Sequence, residues 1–257
     1  MQLQVMFKKE LIENWRNFKW IWVPIVFIIF AIMDLIMTYY MPRIIESVGG
    51  LPEGAVISIP MPSPAEATIM SFAEIGTLGI LILVVISMGT ISGEIKSGVY
   101  ELILSKPVQY GNYITSKFLA FSLISFVSLF IGMIASWYYV NLLFGEIQIT
   151  NVLIATSFYF TYLMYVLGIV ILVNTIFKSP GLVAFVSIGI IVVLSAISNI
   201  FQHIFEFSPS LIGEHVQNYL YNGEIVSELW ITALIAIIVA IGCIIAAVMI
   251  LRNRKIN

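Results

Sequence analysis

Charge is what this chain has least of. Its 257 residues hold 12 Lys and Arg and 14 Asp and Glu, 10% of the total, against about a quarter in soluble domains. With 60% apolar residues and a mean hydropathy of +1.04, a soluble globular domain is excluded. A net charge of −2 denies the basic surface that nucleic acid requires, so no nucleic-acid partner is expected. Cysteine is nearly absent: Cys243, inside an apolar run, rules out an internal disulfide and a cysteine-based metal set. Catalytic signatures are missing too. There is no HExxH, no GxSxG and no G-x-x-x-x-G-K-[ST]. Gly93 and Gly98 have the spacing of a phosphate loop, but Val99-Tyr100 follow, so no lysine reaches a phosphate. The chain is expected to be no enzyme, and to bind neither ATP by that motif nor any other cofactor.

What is present is length of apolar run. Six stretches, about 20–41, 66–92, 118–140, 152–177, 181–202 and 229–251, are each long enough to cross a core of ~30 Å as a helix rising about 1.5 Å per residue. The third to sixth carry no formal charge. The fold class is therefore an all-α polytopic membrane protein, a single domain over 1–257 with six transmembrane helices. Pro42 is expected to end the first. Ser63-Pro64-Ala65-Glu66 combines an N-cap serine, proline at the first helical position and glutamate at the third, and should start the second. Gly89 with Gly93, and Ala236 with Ala240, are small-residue pairs suited to close helix contact, or to a dimer seam.

The connections differ in kind. Residues 42–65 are rich in Gly and Pro and read as a loop with an extended piece at 55–59. Residues 141–151 and 178–180 are tight, making the third, fourth and fifth spans antiparallel neighbours. In 203–228, Ser208-Pro209 looks like a helix start, and Leu211, Ile212, His215, Val216, Tyr219 and Leu220 form one stripe before an Asn222-Gly223 turn. This segment reads as a short amphipathic or re-entrant helix. Residues 1–19 read as a helix in the membrane interface, with Phe7, Leu11, Trp15 and Phe18 on one stripe and Lys8, Lys9, Glu13, Arg16 and Lys19 around it.

Orientation follows from the basic residues. With the N-terminus inside, Lys8, Lys9, Arg16, Lys19, Lys96, Lys106, Lys117, Lys178, Arg252, Arg254 and Lys255 lie in the cytoplasm and only Arg43 lies outside, eleven of the 12. Both termini are then cytoplasmic in a multi-pass cell-membrane protein, and 42–65, 141–151 and 203–228 are outer loops.

The longest polar segment on that inner side is 92–117. Its first part reads as an amphipathic helix, with Ile95, Val99, Leu102 and Ile103 on one face and Glu94, Lys96 and Glu101 on the other, stopped at Lys106-Pro107. Gly93-Glu94, then Ser97-Gly98-Val99-Tyr100-Glu101-Leu102-Ile103-Leu104-Ser105-Lys106-Pro107-Val108, then Lys117, resemble the permease subunit of type-2 ABC transporters. In that family a pattern of this kind between the second and third spans forms the coupling helix that docks on the ATPase. The resemblance implies a permease for export, in a complex of two permeases, identical or homologous, and two ABC ATPase subunits that carry the ATP and Mg. It marks Gly93, Glu94, Lys96, Val99, Tyr100, Glu101, Leu102, Ile103, Leu104 and Pro107 as the ATPase-coupling residues.

Two acids within the spans need a reason. Asp34 lies about two-thirds of the way along the first span, where an acid is costly but tolerable. With Thr38 one turn on and Glu74 from the second span, it either lines the outer mouth of a transport path or reaches the headgroups. His203 and His215, with acids nearby, form either a zinc or copper site or merely an interfacial pair. Aromatic, Met-rich spans without an intramembrane base suit a hydrophobic or amphipathic cargo such as a peptide, antibiotic or lipid. The alternatives are a permease that relays antimicrobial-peptide stress and an ATP-independent channel or secondary transporter.

Overall fold

The computed structural model describes residues 2–48, 60–100 and 108–253. Among them the secondary structure is helical throughout, with six helices long and apolar enough to cross a membrane. In chain order these elements are α1 (Gln2–Arg16), α2 (Lys19–Val48), α3 (Pro64–Glu74), a π-helical turn (Ile75–Gly79), α4 (Ile80–Ser87), α5 (Ser92–Lys96), α6 (Tyr110–Leu143), α7 (Ile149–Ile176), α8 (Pro180–Ile200), a 3-10 turn (Pro209–Leu211), α9 (Ile212–Asn222) and α10 (Ser227–Asn253). The second span is composite, running through α3, the π turn, α4 and α5.

Helix starts follow local chemistry. At α3 the capping box forms as the sequence predicts: Ser63 N–H donates to Glu66 Oε2 at 2.6 Å and Glu66 N–H donates to Ser63 Oγ at 3.3 Å. The first span departs from expectation, because α2 continues through Pro42 to Val48. Proline removes one N–H and so leaves one carbonyl a turn earlier unserved. Near the end of a span that carbonyl is within reach of water, so the helix survives.

Packing centres on α7, the most buried span, which lies against α6, α8 and α10; α6 in turn packs along α2. The expected antiparallel series of third, fourth and fifth spans is therefore present. A β-carbon on Gly168 of α7 would stand 3.0 Å from Ala240 Cα, so this glycine lets α10 approach backbone to backbone. Ala236 and Ala240 are spent on that internal contact and do not face outward as a dimer seam. By contrast α8 is peripheral, with Phe185, Val192, Val193 and Ile200 exposed as lipid-facing groups.

The segment after α8 turns back into the bundle. Ser208 Oγ is 2.6 Å from Ser198 Oγ, and Ser210 is hydrogen-bonded to Tyr165, deep along α7. From there α9 runs outward along α7, Gly213 passing Tyr159, until Tyr219 Oη meets Asn151 Oδ1 at 3.4 Å. Ile212, Val216 and Tyr219 are buried on the way and Gly223, at φ +74°, closes the helix. The predicted short helix is thus present, with Ile212, Val216, Tyr219 and Leu220 on its buried face and Glu214 and Asn218 exposed.

Candidate functional site

Three segments remote in sequence meet at the end of the bundle that carries α1. On α1, Glu10 and Asn14 are one turn apart and both buried against α6; on α6, Tyr113 and Lys117 are likewise one turn apart and face back. The Lys117 side chain is 1% exposed, and its Nζ lies 3.0 Å from Glu10 Oε1 and 2.8 Å from Glu94 Oε1 of α5. Tyr113 Oη donates to the other Glu94 oxygen. Lys9 Nζ adds contacts to Glu10 at 3.1 Å, Glu13 at 3.1 Å and Glu94 at 3.2 Å. Asn14 Nδ2 donates to the Glu10 carbonyl at 2.9 Å. Removing one member of a buried pair leaves the other charge uncompensated, at a cost of about 3–5 kcal/mol.

Burial disfavours the Lys9 ammonium, but the charges of Glu10 and Glu94 and hydrogen bonds to Glu13 and Glu10 outweigh it and hold the group above the usual lysine range. Its contribution to stability is then complete below the unfolded lysine pKa of about 10.4 and fades only as pH rises past that value. Across neutral pH Lys9 is therefore charged. Lys19, just past α1, sits over the Phe121 ring at 4.7 Å and donates to the Ile86 carbonyl at 3.0 Å. Between them Phe18 adopts φ +56°, the left-handed elbow that swings α1 away from α2. The residues of the expected interfacial helix fall on different sides: Phe7 and Leu11 are half-buried, Lys8, Trp15, Arg16 and the elbow residue Phe18 are exposed, and Lys9 is drawn into the ion network.

The second span breaks between Ser87 and Ser92, and Asn174 of α7 occupies the break. Its Oδ1 accepts from the Ile91 and Ser92 N–H groups at 3.4 and 3.2 Å; its Nδ2 donates to the Ser87 carbonyl at 3.2 Å and to Val170 at 3.0 Å. One fully buried amide therefore serves both sides of the interruption. Beyond it α5 is short. Gly98, at φ +75°, interrupts the short amphipathic helix the sequence suggests, because a left-handed residue cannot continue an α-helix. Consequently Lys96 and Val99 are exposed, Ile95 and Gly93 are half-buried, and Tyr100 is buried edge-on to Tyr113. Glu94 does not share an outward face with Lys96 but turns inward, drawn by the buried Lys117 ammonium. Glu101, Leu102, Ile103, Leu104 and Pro107 lie outside the described residues, as does the expected extended piece at 55–59.

At the far end of the bundle, Asp34, Thr38 and Glu74 are all half-buried, and the charges of Asp34 and Glu74 interact across α2 and α3. Immediately after Glu74 comes the π turn, a device common at functional positions in helices. Beside that turn, between it, α7 and α8, is a cavity of about 470 Å³ lined by Gly76, Thr77, Tyr162, Ile191, Ser195 and Asn199. None of the three expected path residues lines it. His203 and His215 border an open bowl of about 660 Å³ with Glu206, Glu214 and Glu228. His215 Nε2 is 3.1 Å from the Glu206 carbonyl, and no triad of ligand atoms converges on either histidine among the described residues.

These features sit in a recognisable lineage. The profile of the ABC-2 family transporter proteins matches residues 4–209. The chain belongs to the ABC-2 transporter family. It is 32% identical over 222 residues, 86% of each chain, to the uncharacterized transmembrane protein YxlG of Bacillus subtilis (strain 168). As an ABC-2 membrane protein it is a multi-pass permease component. Sequence reasoning about this ABC-2 chain marked residues 93–107 but missed the contacts that fasten their start: those of Glu10, Tyr113, Lys117 and Asn174. A lone Asn in the apolar run of the fourth span was the available signal for the last.

Proposed function

We propose that this chain is the membrane-spanning permease of an ATP-driven exporter, coupled through residues 93–107 to a separate ABC ATPase that binds ATP and Mg and does the hydrolysis. The observation that carries the reading is the break in the second span clamped by Asn174, since it makes the coupling segment a separately aimed piece of chain fastened to the central span. A push on exposed Lys96 and Val99 would be felt at α7. A complete transporter would contain two ATPases and two permeases, identical or homologous. The eleven-to-one distribution of basic residues supports a cell-membrane orientation with both termini cytoplasmic. The cavity beside the π turn, apolar with a few hydroxyl and amide groups, suits a hydrophobic or amphipathic cargo, and Asp34, Thr38 and Glu74 would polarise the exit.

The test is reconstitution. In lipid nanodiscs the permease should retain an ABC ATPase and raise its ATP hydrolysis above that of the ATPase alone, and inside-out vesicles should accumulate an amphipathic dye when given ATP. A permease that purifies with no ATPase, or leaves hydrolysis unchanged, would sink the proposal.

A further inference from the structure

On the face of α1 that packs on the bundle the two most buried residues are polar, beside half-buried Met6, Phe7 and Leu11. Glu10 and Asn14 are buried there, whereas Val5, Ile12 and Trp15 are exposed. A helix serving only as a lipid anchor needs no buried carboxylate, and this one is matched to Lys117, whose two anionic partners come from two different segments, α1 and α5. If α1 and α5 separate, an ammonium that is 1% exposed keeps only one of its counter-ions. Lys9 ties the same two segments a second time, bridging Glu10 and Glu94, and Tyr113 braces Glu94 from the side. The cluster is balanced: Glu10, Glu13 and Glu94 face Lys9, Lys19 and Lys117. The ligand oxygens of the three glutamates lie within 4.8 Å of one another, but ammonium groups already compensate them, so the group is a latch and not a cation site.

We propose that α1 is a working part of the coupling apparatus, in which Glu10 and Lys117 are positioning residues that fix the direction of the coupling segment, so that α1, α5 and the first turns of α6 move as one body. This rests on the permease reading above. It goes beyond it by assigning the interfacial helix a mechanical role and by naming the pair that transmits it.

The test places spin labels at Ile12 and Ser97, both exposed, in a Cys243→Ser background, and measures their separation by double electron–electron resonance. The unsubstituted network should give a narrow distance distribution in the permease alone, unchanged when the bound ATPase is trapped with ATP and vanadate. Glu10→Gln and Lys117→Met should broaden it and cut ATPase stimulation by about fivefold or more, with the ATPase still co-purifying. Lys117→Arg should restore most of both. A narrow distribution and full stimulation in Glu10→Gln and Lys117→Met would overturn the proposal. If Lys117→Met does not fold, Glu10→Gln decides. If no ATPase binds even the unsubstituted chain, the permease reading fails. The distances in the permease alone still judge the latch: broadening in the variants supports it and an unchanged distribution refutes it.

Discussion

A methyl group on Gly76 would stand 2.6 Å from Tyr159 Oη. The tyrosine is buried between Phe72 and Tyr162, at ring-centroid distances of 5.1 and 5.7 Å. Gly76→Ala should therefore destabilise the protein by about 1–3 kcal/mol through overpacking, read as a lower unfolding midpoint in detergent. Tyr159→Phe in the same chain should recover most of the loss. An unshifted midpoint in Gly76→Ala would mean that Tyr159 does not press on the π turn.

Asn174→Leu keeps the size of the side chain and deletes the amide's own hydrogen bonds to both sides of the break. The N–H groups of Ile91 and Ser92 lose the amide oxygen they share, each at a cost of about 1–3 kcal/mol where it stays buried, whereas the Ser87 carbonyl keeps the Thr90 N–H at 3.1 Å. Faster amide hydrogen exchange at Ile91 and Ser92, confined to that region, is the expected signature. Exchange like the wild type would show that the break holds itself.

Orientation is open to labelling. In a Cys243→Ser background, a cysteine replacing Asn222 should react with a membrane-impermeant maleimide on intact cells. One replacing Ser97 should react only after permeabilisation. The opposite pattern would invert the topology.

Much of this architecture was legible in the residues. Apolar runs declare themselves because a span must satisfy its backbone internally, which is why the six crossings and the capping box at Ser63 were predictable. Pro42 misled because proline breaks helices by sterics and a lost bond, and both are cheap at the edge of a membrane. Gly98 could be seen as a glycine but not as a left-handed one. The ion network was invisible for another reason. Glu10 and Lys117 are 107 positions apart, and no periodicity within a segment reports a partner at that distance. Lys117 counted as an inside charge and as the end of the family pattern, with no sign that it would be buried against α1.

Asp34 and Glu74 are two carboxyl groups near each other across α2 and α3. Asp34→Asn keeps the shape and removes the charge, whereas Asp34→Leu suits lipid better than the native residue. If the pair polarises a path, Asp34→Leu should raise the unfolding midpoint while abolishing ATP-dependent dye accumulation. Full accumulation in both variants would make the residue an interfacial one.

In the proposed transporter a separate ATPase drives this permease through the segment beginning at α5. A photo-crosslinking amino acid in place of Val99, exposed at that segment, tests it most directly. Irradiation of intact cells should join the permease to an ABC ATPase from Val99 and not from Tyr221, which is exposed at the far end of the bundle. Absence of an ATPase adduct at Val99, or an equal yield from Tyr221, would contradict the account.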